Sequence, residues 1–242
     1  MPELTIASFN CHAGLQARRN GVCEPYDLDT VLRGIDADVV VLQESWTPDG
    51  GVAAVRRVGE STGAEVFELR FGRSRLDPWP HVPRDGSGLG EVGLAVLSRI
   101  PAEAQGRLPV GTVLSDPTPE RGGLHVVLDV GGTKVDLIGV HLSSRLPYGP
   151  PIQLRRLAAQ LPPPGRPGII AGDCNFWGPG VQSFLPGWRR AVRGRTWPAG
   201  RPHSQIDHIL VRAADRTEVL RGEVLPPLGS DHRAVRATLR FP

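Results

Sequence analysis

The sequence predicts a single α/β domain with mixed β-sheets. Short apolar runs typical of strands occur along the whole chain, and segments with helical spacing of apolar residues lie among them. Gly131-Gly132 separates two β-type runs and predicts a hairpin, so antiparallel pairing is expected in the sheets. No internal repeat or shift in composition marks a boundary, so residues 1–242 are assigned to one domain. Apolar residues make up 40% of the chain and charged residues 22%, which predicts a sizeable core.

Four strands and two helices are predicted in the N-terminal half. Asp27 or Asp29 can cap the first helix, because a carboxylate there accepts a hydrogen bond from a free backbone N–H. The Pro-, Gly- and Arg-rich stretch from Phe71 to Gly90 is predicted to be a loop. The predicted strands are Leu4–Phe9, Val39–Gln43, Ala64–Leu69 and Gly93–Ser98, and the predicted helices are Tyr26–Ile35 and Val52–Thr62.

The C-terminal half is predicted to be richer in strands. The strands of the hairpin are Leu124–Val130 and Lys134–Val140. A helix over Ile152–Leu161 is expected to end at the Pro-rich segment 162–167, because Pro cannot continue a helix. The apolar run Gly168–Ala171 is typical of a buried strand. Three more strands are predicted at Ile206–Val211, Thr217–Val224 and Ala234–Leu239.

The charge balance favours an anionic partner only slightly. The formal net charge is +3 and the pI is near 9.1, an excess too small to establish nucleic-acid binding. Among the 28 basic residues only Lys134 is a lysine. A general replacement of Lys by Arg explains this better than selection for bidentate phosphate contacts.

The cysteines and the apolar runs indicate a reducing, aqueous compartment. The three cysteines are odd in number and lack Cys-x-x-Cys spacing, so neither a disulfide framework nor a cysteine zinc site is expected. They are Cys11, Cys23 and Cys174. No signal-peptide pattern and no apolar run of about 18 residues occurs, so we expect a soluble cytoplasmic protein.

Polar residues follow several predicted strands at the point where each strand ends. Asn10 ends the first strand, Glu44 follows the second, His141 follows the hairpin, and Asp173 and Asn175 follow the buried run. In α/β folds this edge of a sheet is a common location for ligands. The recurrence therefore predicts one shared site more strongly than any single residue does.

The motifs that carry this chemistry resemble the endonuclease/exonuclease/phosphatase superfamily, and they occur in the order of that family over nearly the whole chain. The resemblance implies a four-layer α/β sandwich with two mixed β-sheets packed face to face, helices outside and the site at one edge. The matching pieces are Ser8-Phe9-Asn10, Leu42-Gln43-Glu44, Ala95-Val96-Leu97-Ser98-Arg99, Gly139-Val140-His141-Leu142, Gly172-Asp173-Cys174-Asn175, Thr196-Trp197, Ile206-Asp207-His208-Ile209 and Ser230-Asp231-His232.

The predicted metal site contains oxygen ligands. The Glu44 carboxylate and the amide oxygen of Asn10 suit Mg²⁺ or Mn²⁺, which favour hard oxygen ligands and retain several waters. Asp231 is predicted to be a further carboxylate at the metal or beside the attacking water, and the other interpretation is a loop residue that caps the last strand. The metal can polarise the phosphate and stabilise the leaving oxygen.

The predicted catalytic residues surround the phosphate. Asp173 is the candidate to orient or deprotonate the attacking water, and the Asn175 amide is the candidate donor to a phosphoryl oxygen. Both are expected on one face, because alternate residues of an extended chain share a face. The resemblance supplies Asp207 as the partner that orients His232 and supports its cationic form.

Three histidines have different interpretations. His141 indicates the deoxyribonuclease I-like branch of the family and is predicted to act as a general acid or to bind the phosphate. Its acidic partner in that branch has only a poorly anchored match here, Glu91. His12 is favoured as a residue that caps the first loop over one that lines the site, and His208 as a core residue.

The predicted function is divalent-metal-dependent hydrolysis of a phosphate ester, with DNA or RNA as the first candidate substrate. Low sequence specificity is expected, because no long basic helix is available to read a groove. The stretch 70–90 carries Arg70, Arg73, Arg75, Arg84 and Trp79 and is either a nucleic-acid platform or a loop that narrows the site. The alternative substrates are a phosphorylated metabolite, an inositol phosphate or a lipid headgroup. A non-catalytic binding relative is a third possibility.

Overall fold

The computed structural model describes residues 1–17, 23–75, 88–116, 118 and 121–242. Three α-helices lie at Leu28–Gly34 (α1), Ala54–Thr62 (α2) and Gly149–Ala158 (α3). The strands are β1 Glu3–Asn10, β2 Leu15–Ala17, β3 Cys23–Pro25, β4 Val39–Pro48, β5 Glu65–Arg75, β6 Leu89–Ser98, β7 Ala102–Pro109, β8 Gly122–Val130, β9 Thr133–His141, β10 Gly168–Asp173, β11 Trp188–Arg190, β12 Asp207–Arg212, β13 Glu218–Val224 and β14 Val235–Arg240.

Twelve of these strands form two six-stranded mixed sheets. The strand order of the first sheet is β13-β14-β1-β4-β6-β5, in which β1 and β4 are parallel and the other pairs are antiparallel. The order of the second is β11-β12-β10-β9-β8-β7, in which only β9 and β10 are parallel. Strands β2 and β3 pair separately. Each large sheet thus has one central parallel pair whose carboxyl ends can carry functional groups.

The two sheets pack face to face and helices cover their outer faces. Because side chains alternate along a strand, Val39 and Val41 of β4 enter the core between the sheets and Val40 and Leu42 face outward. The outward pair packs against α1 and α2, and Val140 of β9 packs against α3 in a third cluster. The order helix, sheet, sheet, helix is the four-layer α/β sandwich that the family resemblance implies.

Several predicted elements differ from the observed ones at their ends. The predicted loop from Phe71 to Gly90 is wrong at both ends, because β5 continues to Arg75 and β6 begins at Leu89; residues 76–87 lie outside the described residues. β4 runs to Pro48 rather than ending at Gln43. Asp27, rather than Asp29, caps α1, since its carboxylate accepts the N–H of Thr30 at 3.0 Å.

The helices of the described residues are short. The longest, α3, has 10 residues, so no described helix has the length and apolar character needed to traverse a bilayer core of roughly 30 Å.

Candidate active site

The second sheet places three candidate residues side by side. β10 lies between β9 and β12, and in this register Asp173 is opposite both His141 and Asp207. All three are buried. From the first sheet, Asn10 at the end of β1 reaches across, and its Nδ2 donates to Asp173 Oδ2 at 3.1 Å. The site therefore lies where the edges of the two sheets meet.

Glu44 is aimed at the site by a β-bulge rather than by the end of a strand. The register of β4 against β6 shifts between Gln43 and Ser45, and Glu44 has a φ of 54°. A bulge of this kind inserts one residue and redirects its side chain. Asn10 Nδ2 donates to Glu44 Oε1 at 3.2 Å, so the bulge delivers the carboxylate beside the end of β1.

Asn10 connects the two carboxylates through its amide nitrogen. Its Nδ2 donates to Glu44 and Asp173, and its Oδ1 accepts the backbone N–H of His12 at 3.1 Å. The side chain of His12 has Nδ1 2.8 Å from the carbonyl oxygen of Leu15, which agrees with a role in shaping the first loop.

Asn175 lies beside Asp173, but the two residues do not share a face of an extended chain as predicted. It lies beyond the end of β10 with a φ of 47°, so it is not part of an extended chain. Its Nδ2 donates to the Leu142 carbonyl at 2.9 Å and to Asp173 Oδ2 at 3.3 Å, and its N–H donates to Asp173 Oδ1 at 2.8 Å. Asp173 and Asn175 do lie together, but through a turn around the aspartate.

His232 and Asp207 form a buried ion pair. His232 Nδ1 lies 3.1 and 3.0 Å from the two carboxylate oxygens of Asp207. Burial opposes the charged imidazolium, yet the neighbouring carboxylates, Asp207 first and Asp173 next, raise the pKa of His232 to about 10. Ser230 supports the loop, because its hydroxyl donates to the Asn10 carbonyl at 2.7 Å and accepts the His232 N–H at 3.2 Å.

Asp173 is surrounded by groups with opposite effects on its charge. Burial, followed by the negative charge of Asp207, raises the pKa of Asp173 to about 7. His232, the Asn175 N–H and the Asn10 amide act in the other direction. The result is a carboxylate that can accept a proton near neutral pH.

His141 is a neutral imidazole beside two carboxylates. Its Nε2 lies 3.7 Å from Asp173 Oδ2 and 3.9 Å from Glu44 Oε1. Burial, followed by the charges of Arg121 and His232, lowers the pKa of His141 well below its ordinary value. Glu91 instead forms an ion pair with Arg70, and no contact among the described residues joins Glu91 to His141.

Arg121 lines the site, a position that the sequence motifs do not predict. Its Nε donates to Asp116 Oδ2 at 2.9 Å in a buried ion pair, and Nη1 lies 3.5 Å from the His141 carbonyl oxygen. Although burial opposes it, the hydrogen bond of Ser143 and the charge of Arg121 lower the pKa of Asp116. The predicted hairpin could have indicated this position of Arg121, because its register places the residues before Gly123 opposite the end of β9.

Two groups of side chains can be considered as metal ligands. Asp173, Asp207 and His232 have ligand atoms within 4.8 Å of one another. However, a cationic His232 whose Nδ1 already binds Asp207 is a poor ligand, so we favour the other side of the site. There the Glu44 carboxylate is 30% exposed and lies beside Asn10, which fits a cation that keeps several waters.

Asn10 and Asp231 are less well placed as metal ligands than Glu44. Asn10 offers its oxygen to a cation only if the amide rotates, because Nδ2 now faces the carboxylates. Asp231 Oδ1 lies 3.3 Å from Ser230 Oγ and 3.9 Å from His12 Nδ1. No described contact joins Asp231 to Glu44, so a role for Asp231 as a ligand stays a prediction.

One open cleft of about 380 Å³ is lined by Glu44, Arg121, His141, Asp173, Asn175 and His232. A second cavity of about 440 Å³ lies against α1, α2 and β4 and is lined by none of the candidate catalytic residues. The lining of the cleft also contains the apolar side chains of Leu146, Trp177, Trp197 and Ile206.

The predicted arginine platform is only partly described. Arg70 and Arg73 lie on β5, and both form ion pairs, with Glu91 and Asp49 respectively. Trp79 and Arg84 lie outside the described residues. The two described guanidinium groups are therefore already engaged by carboxylates.

Comparison with known proteins points to one family. Residues 7–232 match the family model described as the Endonuclease/Exonuclease/phosphatase family. No curated protein matches the sequence.

Solved structures of this family share the fold. An endonuclease/exonuclease/phosphatase from Beutenbergia cavernae is 23% identical with a TM-score of 0.73, over 100% of this chain and 72% of that one. D. rerio TDP2, solved with a single-strand DNA product, is 19% identical with a TM-score of 0.63, over 99% of each chain. A mannosyl-6-phosphatase from Bacteroides thetaiotaomicron is 16% identical with a TM-score of 0.67, over 98% of this chain and 100% of that one.

Proposed function

The chain belongs to the endonuclease/exonuclease/phosphatase family, and from this premise we propose that it hydrolyses phosphate esters by divalent-metal-assisted attack of water on phosphorus. One observation carries the proposal. Asp173 Oδ2 lies 3.7 Å from His141 Nε2, 3.9 Å from His232 Nε2 and 3.1 Å from Asn10 Nδ2, at the floor of an open cleft. The candidate base therefore lies within 4 Å of two imidazoles and an amide donor, an arrangement that supports the proposal.

The metal would be Mg²⁺ or Mn²⁺, held by Glu44 and by the Asn10 amide oxygen once that amide rotates away from its present hydrogen bonds, with Asp231 as a further candidate. When bound, it supplies Lewis-acid polarisation of the phosphoryl oxygen and stabilises the leaving oxygen. The structural support is the partly exposed Glu44 carboxylate next to the amide of Asn10.

The protein's own groups divide the remaining work. Asp173, whose pKa is raised, accepts a proton from the attacking water, and the Asn175 N–H keeps its carboxylate oriented. His232, held cationic by Asp207, places positive charge next to the phosphoryl oxygens. The depressed pKa of His141 favours a hydrogen bond from neutral imidazole to the phosphate over a role as general acid.

Arg121 is a second source of positive charge for the phosphate. Its Nε and Nη1 are engaged by Asp116 and the His141 carbonyl, and among the described residues no hydrogen bond is formed by Nη2. Arg121 lines the cleft. A guanidinium fixed on one side by a buried carboxylate can present its other side to a phosphoryl oxygen without a large loss of side-chain entropy.

The first candidate substrate is a phosphodiester of nucleic acid, cleaved with low sequence specificity. The TDP2 structure with a single-strand DNA product supports this choice by likeness of fold. The second candidate is a phosphorylated small molecule. A cleft of about 380 Å³ is within the size range of small-ligand sites, and the mannosyl-6-phosphatase has the same fold.

A substrate panel with Mg²⁺ or Mn²⁺ tests the proposal. The panel contains plasmid, single-stranded DNA, RNA, nucleotide monoesters and inositol phosphates, each with and without excess chelator. We expect metal-dependent cleavage of a nucleic-acid phosphodiester. Turnover of only a monoester or inositol phosphate would favour the second candidate, and the absence of any turnover in loaded protein would contradict phosphoester hydrolysis.

A further inference from the structure

Large apolar side chains are exposed around the candidate active site. Leu146, Trp177 and Trp197 are 51%, 51% and 36% exposed, and all three line the cleft. Exposed Trp rings on a rim of this kind indicate a binding surface, because burying one removes a large apolar area from water. The hydrolytic mechanism uses none of these three side chains.

Trp177 presents one free face of a ring that is already fixed. Its indole stacks on Phe176 with ring centroids 4.4 Å apart and an interplanar angle of 25°. Phe176 is held from behind by the edge of Phe184, at 5.5 Å and 84°. The backbone of Phe176 is also held, because its carbonyl oxygen lies 2.9 Å from His208 Nε2. Since one face of Trp177 is covered and half the residue is exposed, the other face is available on a rigid support.

Trp197 is fixed on the rim by different contacts. Its Nε1 donates to Asp231 Oδ2 at 3.4 Å, and its ring meets the ring of His203 edge-on at 5.3 Å and 86°. Two immobilised indoles therefore border the cleft that contains Asp173 and His232. Rigid flat surfaces give affinity at little cost in conformational entropy, provided that the ligand is also flat.

We propose that this aromatic rim is a nucleobase subsite, which binds an unpaired base attached to the scissile phosphate. The proposal rests on the hydrolytic function proposed above and names its substrate class as single-stranded nucleic acid. Bases stack on aromatic side chains whatever their sequence. Flexible acyl chains gain no comparable advantage from two fixed ring faces, so the geometry favours a planar ligand over a lipid.

The surrounding charges agree with recognition of bases rather than of many phosphates. Arg70 and Arg73 are occupied by Glu91 and Asp49, and Arg121 points toward the reaction centre. A duplex keeps its bases stacked on each other and offers mainly phosphates at its surface, so this rim has little to bind there. Single strands should therefore be cleaved in preference to duplexes of the same sequence.

The test compares two dinucleotide phosphodiesters in the presence of Mg²⁺ or Mn²⁺. One is the thymidine dinucleotide, and the other has the same backbone without bases. We measure kcat/KM for the parent, Trp177→Ala, Trp177→Phe and the control Trp46→Phe, whose side chain lines the separate cavity against α1 and α2. Stacking contributes about 1–3 kcal/mol per base, so Trp177→Ala should lower kcat/KM for the thymidine substrate by about 5- to 150-fold.

The base-free substrate shows whether Trp177 binds a base or only supports the local structure. Trp177→Ala should leave its kcat/KM within about twofold of the parent, Trp177→Phe should recover most of the activity on the thymidine substrate, and Trp46→Phe should behave like the parent on both. Equal losses on the two substrates, or equal cleavage of both by the parent protein, would overturn the subsite. Faster hydrolysis of a phosphatidylcholine vesicle than of the thymidine substrate would assign the rim to lipid instead.

A binding measurement keeps failure of the subsite distinct from failure of hydrolysis. Thymidine monophosphate is titrated into the protein in excess chelator, and quenching of Trp fluorescence is followed. Quenching that is reduced in Trp177→Phe and unchanged in Trp46→Phe supports the subsite even if no ester is turned over. Unchanged fluorescence in the parent protein, together with hydrolysis of both dinucleotides, would contradict the subsite while leaving the hydrolytic function in place.

Discussion

Two carboxylates face each other across neighbouring strands in the cleft. Asp173 and Asp207 are opposite in the register of β10 and β12, and both are buried. The cationic His232 offsets part of their negative charge, with Nδ1 3.0 Å from Asp207 Oδ2 and Nε2 3.9 Å from Asp173 Oδ2. Like charges in a desolvated site are costly, so this pair is expected to reduce stability in exchange for reactivity.

Replacing Asp173 tests this balance at a single residue. Asp173→Asn removes the proposed base and should lower kcat by at least about 10²-fold. The same change removes the repulsion from Asp207, so the melting temperature should equal or exceed that of the parent. Steady-state kinetics and thermal unfolding of the purified variant measure both effects.

Asp136→Asn is the matched control for Asp173→Asn. Asp136 is a buried carboxylate on β9 of the same sheet, with Oδ1 2.9 Å from His125 Nε2, and it does not line the cleft. Its loss should lower stability and leave kcat near that of the parent. If Asp173→Asn instead lost structure and activity together, Asp173 would be a structural residue.

His208 is predicted to make stability depend on pH. Burial lowers the pKa of His208 to about 4, below its ordinary value of 6.5. The unfolded chain therefore takes up a proton that the folded protein excludes, and stability is lost as the pH falls from 6.5 toward 4. Between pH 7 and pH 5 this one group should cost about 2 kcal/mol.

His208→Gln isolates that contribution, because glutamine can still donate to the Phe176 carbonyl oxygen but does not titrate. Urea unfolding at pH 7 and pH 5 gives the free energy of unfolding of both proteins. The variant should lose about 2 kcal/mol less than the parent over this interval. An identical loss in the two proteins would mean that His208 does not remain neutral in the fold.

Among the strands, β10 has the largest effect on the geometry of the site. β10 pairs with β9 in parallel and with β12 in antiparallel register, so one strand brings His141, Asp173 and Asp207 together. Gly172 permits this approach, since a Cβ at this residue would lie 1.9 Å from the carbonyl oxygen of Val140. A larger residue would have to push β9 and β10 apart.

Gly172→Ala should therefore damage both the sheet and the reaction. We expect a loss of at least about 2 kcal/mol in the free energy of unfolding and a fall in kcat, because Asp173 moves relative to His141. Gly34→Ala, at the end of α1 where a Cβ meets nothing within 4 Å, is the control and should be close to neutral. Wild-type stability and kcat in Gly172→Ala would show that the strand spacing tolerates the extra methyl group.

The strand ends were predictable from sequence because buried strands are apolar until a polar residue ends them. This holds for Asn10, His141 and Asp173. The same rule did not predict how Glu44 is placed. The bulge that redirects Glu44 depends on the pairing of β4 with β6, which sequence periodicity does not reveal. The rule also failed for Arg121, which is one arginine among many and acquires its place only through the hairpin register.

At the scale of the whole molecule, the site depends on both sheets. The first sheet contributes Asn10 and Glu44, and the second contributes His141, Asp173 and Asp207. Their separation is set by the core between the sheets, where most side chains are branched aliphatics. Because no single sheet contains the site, changes in the packing of the core should alter activity even at a distance.

Sequence periodicity predicts neither the order of the strands within the sheets nor every strand in them. β7 was missed because its residues are almost all exposed and lack alternation of apolar and polar side chains. β11 has three residues, too few for a pattern. The family motifs predict the four layers, whereas local sequence patterns predict only strands whose apolar side chains are at least partly buried.

The proposed hydrolysis requires a divalent cation held at Glu44. The most direct measurement is the rate of phosphodiester cleavage against Mg²⁺ or Mn²⁺ concentration, for the parent, Glu44→Gln and the control Glu68→Gln. Glu68 lies on β5 of the same sheet and pairs with Arg56, away from the cleft.

We expect no cleavage in excess chelator and recovery on adding the cation. Glu44→Gln should need at least about tenfold more cation for half-maximal rate, or lose activity altogether, and Glu68→Gln should follow the parent curve. Full activity in chelator, of protein found by elemental analysis to contain no metal, would contradict a metal requirement.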